Sequence, residues 1–223
     1  MVRAFAVAVV LATLALSGCD NGESASGGNS LNKVNGSVRV APGDHAGSIG
    51  TVNGEVTVGD NAVVGDVHTV NGPIDIGSHV TVDGVKAVNG PVTIGSASKV
   101  THGITTVNGS LNLKEADVAG AVKNVNGHIV LDGAHVAGGI QTVEADIDLR
   151  GGAHLEGGIW VEKSSGWVSV GKRKPRIVIG PGSTVQGDLR FDHEVDLFVS
   201  DKATIGPVTG ATPVPFSGEQ PPG

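Results

Sequence analysis

The tripeptide Val-Asn-Gly occurs six times at almost constant distance: Val34-Asn35-Gly36, Val52-Asn53-Gly54, Val70-Asn71-Gly72, Val88-Asn89-Gly90, Val107-Asn108-Gly109 and Val125-Asn126-Gly127. The spacings are 18, 18, 18, 19 and 18 residues, and a further step of 18 reaches Val143, where Glu144-Ala145 stands in place of Asn-Gly. A fixed period of this length marks a repeat architecture in which each unit buries its apolar face only by stacking on its neighbours.

One unit, Val70 to Ala87, reads VNGPIDIGSHVTVDGVKA. Pairs such as Ile74/Ile76 and Val80/Val82 have the two-residue period of strands with one buried face, and the breaks between pairs carry Gly, Asn, Asp, Ser or Pro. Helix is excluded in the repeat, because no run of 10 residues there lacks a turn former. Three short strands and three corners per 18 residues predict an all-β, triangular β-solenoid, with residues 31–208 forming about ten coils, a rod of roughly 45 Å. The apolar residues of this unit, Val70, Ile74, Ile76, Val80, Val82 and Val85, are expected to stack on their equivalents, Val88 among them, in a narrow core. Asn-Gly is expected to be a corner in which Gly, and to a lesser degree Asn, adopts positive φ. The side chains of Asn35, Asn53, Asn71, Asn89, Asn108 and Asn126 are expected to form an amide ladder from coil to coil.

Composition agrees with a narrow core. The 223 residues include 36 Gly, no Tyr, four Phe and two Trp, too few aromatics for a single large globular core. The formal charge is -7 and no basic stripe follows the repeat, which excludes wholesale nucleic-acid binding.

The two ends differ from the repeat. Arg3 precedes the apolar run AFAVAVVLATLAL, residues 4–16, which at about 13 residues is too short to span a bilayer as a helix. Leu16-Ser17-Gly18-Cys19 follows, and Cys19 is the only Cys, so no intrachain disulfide forms. These four residues resemble the bacterial lipobox. The resemblance implies that residues 1–18 are a lipoprotein signal peptide, that Cys19 carries lipid, palmitate among its acyl chains, and that the chain is anchored in the bacterial cell envelope facing the periplasm, with inner and outer membrane both open. Residues 19–30, Gly/Ser-rich, read as a flexible tether, and residues 209–223, Pro/Gly-rich, as a disordered tail.

A second consensus runs through the units: AVVGDV at 62–67, DVAGAV at 117–122, HVAGGI at 135–140 and TVQGDL at 184–189. Together with the NGxIxIG strand it resembles bactofilin-type polymer-forming repeats across residues 34–208. That resemblance implies a right-handed triangular β-helix that assembles without nucleotide. It departs from the family in two ways: the chain carries an export signal, and its Asn-Gly corner is more regular. A left-handed hexapeptide-type helix is the alternative, since positions 58, 64, 70, 76, 82, 88 and 94 are all Val or Ile.

Chemistry is sparse. The sequence has no nucleophile elbow, no phosphate loop and no zinc-finger spacing, and it implies neither an enzyme nor a cofactor. Asp117, His135 and His154 fall ten, ten and eleven residues after Val107, Val125 and Val143, so in-register coils place them in one column about 5 Å apart. Such a column offers ligands to Zn²⁺ or Cu²⁺. The competing reading is three exposed polar residues on a turn, and no metal is assigned.

Thr51, Thr69, Thr106 and Thr142 make a broken rank. The pattern decays after Val143, where Trp160 and Trp167 enter, read as core or cap filler, and a basic run Lys172-Arg173-Lys174-Pro175-Arg176 follows. That run is either a loop extruded from an acidic rod or a contact for anionic lipid, polysaccharide or another copy. Phe191 and Phe198 are expected to cap the last coil. Two functions of different class follow: a structural, self-associating envelope scaffold, and an adhesion or binding module for envelope polysaccharide or protein.

Overall fold

In a computed structural model of the chain, residues 23–24, 27–163 and 174–221 are described. They form an all-β solenoid of about ten turns with about 18 residues per turn. Each turn contributes one strand to each of three parallel sheets of ten, eleven and nine strands. The turn beginning at Val67 is representative. Val67–Asn71 lies in the first sheet, Ile74–Ile76 in the second and Thr81–Val82 in the third, and Val85–Asn89 returns to the first. Register is strict: Val85 pairs with Val67, Asn89 with Asn71, Val92 with Ile74 and Val82 with Val64. Among the described residues, no helix is long and apolar enough to cross a membrane.

One continuous core fills the interior. Val67, Ile74, Val80, Val82 and Val85 are fully buried, and the same columns hold Ile104, Leu111, Ile129 and Ile147 further along. Alternation along Val67–Asn71 turns residues 67 and 69 inward and residues 68 and 70 outward. This overturns the expectation that the Val of Val-Asn-Gly is a core residue: Val34 is exposed, and Val52, Val70, Val88, Val107 and Val125 are half-buried. Of the positions in a strict six-residue period, 58, 64, 76, 82 and 94 are buried, whereas 70 and 88 are not.

The inward place beside the corner is occupied by a polar column: Lys33, Thr51, Thr69, Ala87, Thr106, Asn124 and Thr142, all at most 4% exposed. The threonine rank is therefore interior and offers no surface. Thr51 Oγ1 donates to Gly36 O (3.0 Å), and Asn124 Nδ2 donates to Thr106 Oγ1 (2.6 Å) and Gly109 O (3.3 Å). Thr69 Oγ1 is buried with no hydrogen-bond partner among the described residues. A buried, unpaired hydroxyl costs stability that an apolar group of the same shape does not. Thr69→Val is expected to raise stability by about 1 kcal/mol and Thr51→Val to lower it by a similar amount. Thermal melts of the two variants give shifts of opposite sign if the column is read correctly.

The Asn-Gly corner differs from expectation in its cause. No Asn of an Asn-Gly corner has positive φ; among the described residues, those other than Gly that do are Asn61, His79, Ala97 and Glu115, at the corner between the second and third sheets. Gly is required at the Asn-Gly corner by contact between coils. A Cβ on Gly54, Gly72, Gly90, Gly109 or Gly127 would overlap the carbonyl oxygen of the Gly one coil earlier. The expected positive φ is present as well at Gly36, Gly72, Gly90 and Gly127, at +103°, +150°, +151° and +138°.

Both ends extend further than expected. Glu23–Ser24 pairs with Val38 and Arg39, and Gly28 N–H donates to His45 O, so residues of the predicted tether lie on the first coil. At the other end Val208–Thr209 and Val214–Phe216 are strands, the latter on Phe198–Ser200, and Phe216 is 6% exposed. The predicted tail is thus a cap as far as Phe216, because one apolar side chain spaced among prolines suffices to close the last coil. Phe191 is inward as expected, but Phe198 lies on the outer face beneath Arg176, 5.1 Å from guanidinium to ring centre.

Candidate functional site

Chemistry-bearing side chains gather on the outer side of the third sheet, the one built from two-residue strands. In-register pairing stacks Val63, Thr81, Lys99, Asp117, His135, His154 and Thr184 in one column. Strands this short sit between Gly-rich corners, so each outward side chain faces its equivalent on the next coil.

Asp117, His135 and His154 are consecutive in this column, as their spacing predicts. His135 Nδ1 lies 2.7 Å from Asp117 Oδ1 and its Nε2 lies 3.0 Å from Glu156 Oε1. The His135 and His154 rings stack with centres 5.4 Å apart at 26°. The Gln186 amide N–H donates to His154 Nε2 (3.2 Å). One ligand atom from each of His135, His154 and Glu156 lies within 4.8 Å of the others.

Glu156 and Gln186 escape the sequence reading. Each stands two residues after the column, at the next outward place, but they belong to successive coils separated by 30 residues because of the insertion between Val161 and Arg176. A search at the 18-residue period misses Gln186; outward alternation from His154 finds Glu156.

The Asp117 hydrogen bond raises the His135 pKa above its ordinary 6.5; burial, next in size, opposes the rise, and the Glu156 hydrogen bond adds to it. A raised value means that protonated His135 is favoured in the folded state. Its contribution is complete below pH 6.5 and fades as pH rises through the folded midpoint. The group is 37% exposed, so the effect on stability is small. An NMR titration of His135 is expected to give a midpoint above 6.5 that falls on Asp117→Asn. An unchanged midpoint in that variant contradicts the assignment.

The remaining candidates fall elsewhere. The Asn ladder runs unbroken from Asn35 to Asn108: Nδ2 of Asn53, Asn71, Asn89 and Asn108 each donates to Oδ1 of the Asn one coil earlier at 3.0–3.1 Å. Asn126 stays in register below Asn108. The ladder is structural.

Trp160 is on the outer face of the first sheet rather than in the core. Its indole N–H donates to Asp192 Oδ2 (2.9 Å), and Arg190 lies over its ring (5.2 Å) while donating to Asp192 Oδ1 (2.9 Å). Of the basic run, Lys174 pairs with Glu194 (3.0 Å), and the Arg176 backbone N–H donates to Asp146 Oδ1 as that residue opens a strand. Lys172, Arg173, Trp167 and Cys19 lie outside the described residues.

No protein-family model matches the chain, and no curated protein and no solved structure matches it.

Proposed function

We propose that this chain is a non-enzymatic structural lipoprotein of the bacterial cell envelope: a stiff solenoid held at a membrane, facing the periplasm, by lipid on Cys19. The observation that carries the reading is the unbroken stack of in-register coils, with its exterior amide ladder, attached to a sequence that begins with a lipobox-like signal. A rod of this kind spaces or braces whatever it touches, and its likeness to bactofilin-type repeats favours association with other copies. It uses no cofactor in this role.

A second reading, a binding module for envelope polysaccharide or protein, is favoured by the Trp160–Arg190–Asp192 cluster, an aromatic and a cation side by side on an outer face.

Sedimentation of the chain beginning after Cys19, over a concentration series with negative-stain imaging of the same samples, separates them. Growth into filaments or defined oligomers supports the scaffold. A monomeric rod at every concentration overturns self-association and favours the binding module.

A further inference from the structure

We propose that His135, His154 and Glu156 form a binding site for a divalent transition-metal ion of the zinc class, with Asp117 as the positioning residue. The argument begins with ligand chemistry. Two imidazoles and one carboxylate suit Zn²⁺ or Cu²⁺, whereas Mg²⁺ and Ca²⁺ prefer all-oxygen sites. Three protein ligands leave one place of a tetrahedral Zn²⁺ site open.

Geometry supports the same set. Bonds of about 2.0–2.1 Å to a tetrahedral ion place the ligand atoms roughly 3.3 Å apart. Here His135 Nε2 and Glu156 Oε1 are 3.0 Å apart, and all three ligand atoms lie within 4.8 Å of one another. Rotation of exposed side chains covers the difference; the backbone is already positioned, because His135 and His154 are register partners on adjacent strands.

Asp117 acts through His135. It accepts from Nδ1–H at 2.7 Å, which leaves Nε2 as the ligating atom and fixes the plane of the ring. This carboxylate–histidine arrangement is the usual orienting contact behind a zinc-bound imidazole. In the bound state the ion lies between Nε2 and Glu156, where the two atoms now meet directly. Two neutral imidazoles and two carboxylates leave the cluster with no net charge once a divalent ion is held.

The experiment uses the full chain without an affinity tag, purified in detergent and stripped with chelator. Co²⁺ and then Zn²⁺ are titrated in, with visible absorption and isothermal calorimetry as readouts. One equivalent is expected, with Co²⁺ bands that Zn²⁺ removes and millimolar Mg²⁺ does not.

His135→Ala and His154→Ala are expected to lower the affinity at least tenfold, and Asp117→Asn by about 10–100-fold. These side chains are outward and partly exposed, so melting curves in chelator should match the parent and separate loss of binding from loss of fold. No uptake by the parent, or uptake that survives His135→Ala and His154→Ala within tenfold, overturns the site. Metal held by Cys19 falls under that second result, since Cys19 is intact in every variant.

Discussion

Gly72→Ala is expected to lower stability by about 3 kcal/mol, far more than the ordinary cost of exchanging Gly for Ala in an exposed turn. Two effects act together. The new Cβ overlaps the carbonyl oxygen of Gly54, a backbone atom that cannot turn aside, and φ of +150° is a conformation L-residues avoid. Relief requires the two coils to separate, which breaks the Gly54 N–H to Asn71 O hydrogen bond that joins them at this corner. For a chain of this size the shift in Tm is roughly 10 °C.

Gly152→Ala is the control. Its φ is +74°, and a Cβ there meets nothing closer than 3.8 Å, so only the left-handed conformation is paid, about 1 kcal/mol. Ala97 and Glu115 already hold that conformation at equivalent corners. Paired thermal melts test the contrast. Equal losses would show that backbone conformation, rather than contact between coils, requires glycine in the Asn-Gly column.

Deletion of residues 210–223 is the second large effect. It removes the strand Val214–Phe216, leaves Phe198–Ser200 as an open parallel edge, and strips the buried Phe216 side chain from the end of the core. Burial of one Phe contributes about 1.5–3 kcal/mol, and an unpaired strand edge invites another chain. Pro215 has no N–H to offer a further strand, so the native cap blunts the edge that the deletion opens. The truncated chain is expected to melt at lower temperature and to show a sedimentation coefficient that rises with concentration. If it remains as stable and as dispersed as the parent, residues 210–223 are no cap.

The outcome bears on assembly. If copies associate as proposed, the blunted last coil directs them to the sides of the rod or to its first coil.

The 18-residue period and the two-residue alternation of Ile74/Ile76 and Val80/Val82 made the solenoid, its three strands per coil and the Asn ladder legible. Placing Asp117, His135 and His154 in one column needed only arithmetic on the same period. Misreadings have a common origin: a period says which residues stack, not which way they point. Val70 repeats as faithfully as Val67, yet the pleat turns one outward and the other inward. The threonine rank carried no sign of its direction, because polar side chains are usually at the surface; its column is interior, and an adjacent corner supplies backbone carbonyls to some of it, as Gly36 O and Gly109 O do for Thr51 and Asn124. Asn61, His79, Ala97 and Glu115 share a positive φ but no residue type, so no motif announced that corner. Gln186 was hidden by an insertion that breaks the count, whereas Glu156, two residues after His154, needed the outward alternation rather than the period.

The hydrogen bonds across the Asn-Gly corner also govern how the protein ages. Asn-Gly is the dipeptide most prone to deamidation, since the Gly nitrogen attacks the Asn side-chain carbon and expels ammonia. Here the N–H groups of Gly36, Gly54, Gly72, Gly90 and Gly109 each donate to the Asn carbonyl of the next coil, at 2.9–3.2 Å, which holds the attacking nitrogen in the plane of its peptide. At Gly127 the next coil carries Glu144-Ala145 instead; Glu144 N–H donates to Val125 O, and Gly127 N–H finds no such partner among the described residues. Five of the six Asn-Gly peptides of the repeat are thus shielded by the stack itself, and within the repeat chemical wear is concentrated at Asn126-Gly127, where the period gives out.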